Sequence, residues 1–135
     1  NGLGLAQIGL GRLPAARQTL AEAEALARSH RDQRLLASTL ANQGGLAVRT
    51  GETDRAIRYL EEAVILDRET ENLPGLGHDL ALLAQARQQR GESDQALELY
   101  RQAGAIARHT GQHDQALHCD QAIERLEHES QVRLP

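Results

Sequence analysis

The sequence contains no Lys, Met, Phe or Trp, only two Tyr residues and a single Cys. Without large aromatic side chains the core must be built from Leu, Ala, Ile and Val, which suits helices packed at short distance. The lone Cys119 excludes an internal disulfide. No apolar run reaches the length of about eighteen residues that a membrane-spanning helix needs. We therefore expect a cytoplasmic protein that makes no membrane contact.

The balance of charge argues against a nucleic-acid partner. All fifteen cationic side chains are Arg, the net charge is −4, and there is no basic run. Proteins that bind nucleic acid neutralise phosphates with clustered cationic side chains and often stack aromatic side chains on bases. This chain has no cluster of cationic residues along its sequence and few aromatic ones. We expect no nucleic-acid partner and no cofactor. Because the chain does not begin with Met, we also expect it to be a segment of a longer protein.

Two segments of the chain, forty residues apart, are nearly the same. They read GETDRAIRYLEEAVILDRET from Gly51 and GESDQALELYRQAGAIARHT from Gly91, and a fainter copy, GRLPAARQTLAEAEALARSH, begins at Gly11. In each copy the apolar residues follow helical spacing. A further helical segment lies between successive copies, so the pattern predicts about seven helices with short connections and no strand.

Several residues mark the expected helix ends. Thr53 and Ser93 precede an acidic residue and are expected to cap the helices that follow them. Pro14 and Pro74 are expected in first helical turns, where the missing N–H costs nothing. Glycines such as Gly51 are expected just after helix ends.

A period of this length is typical of solenoids, in which stacked hairpins bury each other's apolar faces. The pattern resembles the tetratricopeptide repeat family, in the longer forty-residue form found in kinesin light chains and many bacterial regulators. The resemblance rests on paired positions with matching residue types: Leu40 and Leu80, Gly44 and Ala84, Gly51 and Gly91, Ala56 and Ala96, Leu60 and Tyr100, and Ala63 and Ala103.

The resemblance implies an all-α fold, a right-handed superhelical array of antiparallel helix hairpins. Residues 1–135 would form a single domain with repeats at about 1–30, 31–70 and 71–110 and a closing helix at 111–130. Asp120 and Glu124 stand where earlier repeats have Leu and Gly, so we expect this helix to have a wetter outer face. We also expect Gly44 and Ala56 to let two helices approach closely.

In the family, the first helix of each hairpin lines a concave groove. Carried over by position, the candidate groove residues are Asn42, Arg49, His78, Gln85, Gln89, Gln121 and Arg125. The acidic residues, Asp67 among them, fall on the outer helices. The groove would then bind an extended or helical peptide with at least one carboxylate, paired with Arg49 and Arg125. The alternative for each groove residue is a solvated side chain that only keeps the protein soluble.

The segment HTGQHDQALHC brings together three His residues and Cys119. Their spacing crosses a turn and offers no matched pair of zinc ligands within one helix, so we expect no metal site. His118 and Cys119 are adjacent, and adjacent helical residues point about 100° apart, which does not suit a nucleophile and its base. We expect Cys119 to be half-buried and the chain to have no enzymatic activity.

The sequence therefore predicts a non-catalytic module that binds a protein or peptide through its concave face. An alternative is a regulatory, sensor or self-assembly segment of a larger transcription regulator or signalling ATPase. Apolar residues near the start of the chain have no predicted helix to cover them, which would favour association with another copy. These residues are Leu3, Leu5, Ile8 and Leu10.

Overall fold

The computed structural model describes residues 12–133, which form six helices and no strand. The helices are α1 (Leu13–Ser29), α2 (Gln33–Arg49), α3 (Thr53–Glu69), α4 (Leu73–Gln89), α5 (Ser93–His109) and α6 (His113–Arg133). The first of the seven expected helices, with its four apolar residues, lies outside the described residues. No helix in the described range is long and apolar enough to cross a membrane.

Each helix packs against the next, and α2 also packs against α4. The pairs α2–α3 and α4–α5 are therefore hairpins stacked side by side, with α1 before them and α6 after them. This arrangement confirms the expected all-α array of hairpins. It places α2 and α4, the first helices of the two complete hairpins, next to each other along one face.

Every connection is a three-residue turn that reverses the chain in the same way. The N–H of its last residue bonds to a carbonyl in the last turn of the helix before it, as from Glu52 to Ala47 at 2.9 Å. The middle residue takes a left-handed conformation, which glycine adopts without strain. Gly51 does so at φ 77°, which confirms its expected place after a helix end, but Arg31 and Glu71 adopt the same conformation without that freedom.

The expected hydroxyl caps at Thr53 and Ser93 are wrong. The helices begin at these two residues, and the cap positions belong to Glu52 and Glu92, neither of which makes a side-chain cap bond. Thr53 instead donates a hydrogen bond to the side-chain oxygen of Gln89, at 3.1 Å. Side-chain caps occur instead before α2 and α4. Asp32 caps α2, and Asn72 accepts from the amide of Gly75 at the start of α4. Both prolines lie in first turns, as expected.

The core is assembled from side chains that recur every twenty residues. Leu40, Leu60, Leu80 and Tyr100 are all essentially inaccessible to solvent. Gly44 permits the close approach of α2 to α3, because a Cβ at that position would lie 2.5 Å from Cγ of Leu60. The close packing expected from the small residues is thus confirmed.

The closing helix α6 ends at Arg133, three residues beyond the expected boundary at 130. Asp120 and Glu124 are exposed, as expected for its outer face. Cys119 is fully buried rather than half-buried. The reason is Gly104 on α5, which leaves room for α6 to approach until a Cβ on Gly104 would lie 3.3 Å from the Cβ of Cys119.

Candidate functional site

A depression of about 690 Å³ lies between α2 and α4, with one wall from α1. We call it the groove. Five of the seven predicted site residues line it: Asn42 and Arg49 from α2, and His78, Gln85 and Gln89 from α4. They come together because α2 and α4 are equivalent helices of stacked hairpins.

The polar side chains of the groove are largely free of contacts with the rest of the chain. Within the described residues, Asn42, Arg49, His78 and Gln85 form no side-chain hydrogen bond and no ion pair. No acidic side chain lines the groove. Arg49 is therefore a guanidinium with unused donors on a surface that offers no internal carboxylate to pair with it.

Gln89 differs from the other four because its amide is engaged at both ends. Its nitrogen donates to the backbone carbonyl of Val48 at 3.1 Å, and its oxygen accepts from Thr53. These bonds join the end of α4 to the end of α2 and the start of α3. Gln89 thus holds neighbouring hairpins in register and has less capacity for a ligand than the sequence suggested.

The remaining two predicted residues, Gln121 and Arg125, are exposed on α6 and do not line this depression. The helix α6 packs against α5, whose Tyr100 is buried and donates a hydrogen bond of 3.4 Å to the side chain of Gln88. Burial raises the pKa of Tyr100 to about 12, so its hydroxyl stays protonated and able to donate.

Ala16 and Leu20 of α1 and Leu46 of α2 were not predicted, although they form part of the apolar wall of the groove. The forty-residue step aligns Ala16 and Leu20 with Ala56 and Leu60, which are fully buried in the hairpin that follows. Apolar character at these positions was therefore visible in the sequence. Their use as a wall depends on how α1 packs, which the pattern does not specify.

Asp67 lies on α3, the second helix of its hairpin, as expected, but it is not exposed to solvent there. It is buried at the end of α3, where it faces the carboxyl group of Asp79 on α4. Burial, and then the hydrogen bond and charge of Asp67, raise the pKa of Asp79 to about 9. As a carboxylate, Asp79 would leave its Oδ2 with no hydrogen-bond partner among the described residues. Protonated, it can donate that bond to Asp67.

The repeat alignment carried a signal for this acidic pair. Position 67 matches Ala27 and Ala107, and position 79 matches Thr39 and Cys119, all of which are buried. Each Asp therefore occupies a position that the other repeats fill with a small, buried side chain. Two acids at such positions of neighbouring helices were the sign that they would meet in the interior.

The His and Cys residues near the last turn do not assemble into a site. No group of three or more His, Cys, Asp or Glu side chains within residues 12–133 is arranged to hold a metal ion. His118 packs edge-on against Tyr100, with ring centroids 6.3 Å apart. Burial raises the pKa of the Cys119 thiol, which disfavours the thiolate that a nucleophile requires.

The family model for the tetratricopeptide repeat matches residues 35–108, which is more than half of the chain and covers nearly all of both complete hairpins. A comparison with curated proteins gives no significant match.

Proposed function

The chain belongs to the tetratricopeptide repeat family, whose arrays generally bind other proteins, and we propose that its groove binds a peptide segment carrying a carboxylate. The segment would lie extended or helical along α2 and α4. The proposal rests chiefly on one observation: the groove presents polar side chains that the chain itself leaves unpaired, and no acidic residue lines it.

Arg49 would supply the charged contact. A guanidinium binds a carboxylate through two parallel hydrogen bonds, and such pairs are roughly twice as strong as neutral hydrogen bonds. Because no internal acid competes for Arg49, a ligand carboxylate need not displace an existing ion pair. Within the described residues, seven other arginines, among them Arg87 and Arg90, already pair with acids of the chain.

Asn42 and Gln85 would supply the neutral contacts. A primary amide both donates and accepts, so it can bind the N–H and C=O groups of a peptide backbone at once. Position 42 is Leu82 in the next repeat, so the chain offers one such Asn and not a continuous row. The contact surface is consequently short, which favours a ligand segment of modest length and affinity.

The proposal can be tested by selecting ligands from random peptides displayed on phage. Selected peptides are then measured by fluorescence anisotropy against the wild type and against Arg49→Glu. The matched control is Arg34→Glu, which makes the same charge change on α2 at an exposed residue that does not line the groove. A third variant, Arg125→Glu, asks whether the ligand reaches α6.

We expect the selected peptides to be enriched in Asp, Glu or a free C-terminal carboxylate. Arg49→Glu should weaken binding by about tenfold or more, and Arg34→Glu by less than about twofold. Equal loss in both variants would mean that only the net charge matters, and the groove would not be the binding surface. Retained binding in Arg49→Glu would contradict the carboxylate contact.

A further inference from the structure

A second depression, of about 410 Å³, lies between α1, α2 and α3. We call it the outer pocket. It is distinct from the groove, although Leu20 and Leu46 form a wall shared by the two. The apolar part of its lining comes from Tyr59 and from Leu and Ala side chains. Its size and its apolar walls are within the range of small-molecule sites.

The outer pocket carries an excess of positive charge. It is lined by Arg17, Arg55 and Arg58 but by a single acid, Glu52. A hydrogen bond from Thr50 and then the contact with Arg17 lower the pKa of Glu52, so this acid is ionised. One carboxylate against three guanidinium groups leaves two positive charges without a counterpart in the lining.

The three arginines of the outer pocket differ in the ion pairs that they form. Glu52 binds Arg17 directly and lies 3.6 Å from Nη1 of Arg55, so these two arginines share one acid. Arg58 forms no ion pair and no side-chain hydrogen bond with any described residue. Its donors are available to a molecule in the pocket.

Gln43 gives an independent indication of a ligand. It is only 8% exposed, and its nitrogen donates to Glu24 at 3.1 Å. Its Oε1 is buried and has no hydrogen-bond partner among the described residues. Turning the amide over would place this oxygen against the Glu24 carboxylate, so the orientation is fixed by its neighbour. A buried acceptor without a donor is unusual in native proteins, and a ligand hydroxyl or amine would satisfy it.

The same place in the next repeat has different side chains; we call residues 31–70 the first copy and residues 71–110 the second copy. Forty residues on, Ala47 is replaced by Arg87, whose guanidinium bonds to Glu61 and to Glu92, each at 3.0 Å. Glu92 is the equivalent of Glu52. The equivalent depression, of about 340 Å³, thus contains an internal cation held between two acids, whereas Ala47 leaves the outer pocket without one.

Two further positions change character between the repeats. Gln43, with its orphan oxygen, is Leu83 in the second copy, where no polar group needs a partner. Arg58 is Glu98, so the sign of the charge at the mouth is reversed. The features that would hold an anion are therefore confined to the first copy and are not demanded by the packing of the repeat.

We propose that the outer pocket binds a small organic acid that carries two carboxylates and a hydroxyl group. Arg58 and Arg55 hold the carboxylates, and Gln43 accepts a hydrogen bond from the hydroxyl. Two negative charges match the two unbalanced positive charges of the lining. This site is separate from the peptide groove and does not depend on it.

The test uses isothermal titration calorimetry with L-malate and with succinate, which differ by one hydroxyl group. L-malate should bind with a Kd of about 1 mM or tighter, and succinate about tenfold more weakly because it leaves the Gln43 oxygen unpaired. Gln43→Leu introduces the residue found at the equivalent position, Leu83, and should abolish the preference for malate over succinate. Arg58→Gln, at an exposed side chain, should weaken both acids by about tenfold.

Glu98→Gln is the matched control, since it alters the equivalent position in the second copy, and it should leave malate binding unchanged. Circular dichroism verifies that each variant is folded. The proposal is overturned if the wild type shows no saturable binding of malate up to about 10 mM. It is also overturned if Arg58→Gln binds as the wild type does, or if inorganic phosphate binds as tightly as malate with no effect of Gln43→Leu.

Discussion

The contact between Gly44 and Leu60 can be tested with one methyl group. A Cβ at position 44 would lie 2.5 Å from Cγ and 2.7 Å from Cδ2 of Leu60. Leu60 is fully buried, so its side chain has no open space into which to turn. Gly44→Ala should therefore force α2 and α3 apart.

The expected loss of stability follows from two opposing terms. Overpacking of a well-packed core costs about 1 to 3 kcal/mol, and the short distance to a Cγ atom places this contact near the upper end. Replacing Gly by Ala inside a helix stabilises the helix by about 1 kcal/mol, which offsets part of this cost. Gly44→Ala should thus lower the free energy of unfolding by about 2 kcal/mol.

The neighbouring glycine provides the control. A Cβ on Gly45 would meet only Cδ1 of Leu82, at 3.7 Å, which is an ordinary contact. Gly45→Ala should therefore keep the helical gain and stabilise the protein by about 1 kcal/mol. Two identical changes at adjacent residues of α2 are expected to have opposite signs.

Urea unfolding followed by far-ultraviolet circular dichroism measures both effects, provided that the slope of the transition is the same in all variants. Adding Leu60→Ala to Gly44→Ala should cost less than Leu60→Ala alone, because the methyl group then occupies part of the vacated space. The reasoning is refuted if Gly44→Ala is as stable as the wild type, or if both glycine variants shift stability in the same direction.

Three other changes test contacts within the array. The free energy of unfolding of the wild type should fall as pH rises from about 5 to about 8, by at most about 1.4 kcal/mol per pH unit, because folded Asp79 keeps a proton that the unfolded chain releases. The side chain of Asp79→Asn still donates to Asp67, so this variant should show a flatter pH dependence when unfolded in urea. Glu71→Gly removes a left-handed non-glycine residue and should raise the free energy of unfolding by about 1 kcal/mol, whereas an unchanged melting temperature would contradict the strain. Gln89→Ala should lower stability by about 1 kcal/mol through loss of its bonds to Val48 and Thr53, and anisotropy should show peptide affinity within about twofold of the wild type.

The helical array was predictable because its determinants are local and repeated. Apolar spacing defines the buried side of each helix, and small residues such as Gly44 and Ala56 recur where helices touch. Gly51 marks a turn because few other residues adopt its backbone conformation at no cost. None of these inferences requires knowledge of a distant contact. The groove followed from them, because stacking equivalent helices places Asn42 and Gln85 on one face.

The errors concern side chains whose role depends on how two elements meet. Thr53 has the residue type of a cap, but the turn before it places Glu52 at the cap position and directs the Thr53 hydroxyl towards Gln89. Asp67 was correctly expected on an outer helix, but its residue type, that of a surface acid, gave no sign that it would be buried facing α4. In both cases the residue type is a weaker guide than the position in the repeat.

Comparing the two complete copies separates what packing requires from what it leaves free. Several core positions keep their character across forty residues: Ala56 and Ala96 are the same, and Leu60 and Tyr100 are both large and inaccessible. Positions in the groove and in the outer pocket do not: the pairs are Asn42 and Leu82, Arg49 and Gln89, Gln43 and Leu83, Ala47 and Arg87, and Arg58 and Glu98. Since either residue of each pair is compatible with the same backbone, the hairpin fold does not explain the choice. In the second copy Arg87 is paired with Glu61 and Glu92, whereas in the first copy several polar atoms are left for a molecule outside the chain. The first copy, residues 31–70, is therefore where ligands are expected to bind to both surfaces. Variants there should alter ligand affinity more than variants at the matching positions of the second copy, residues 71–110.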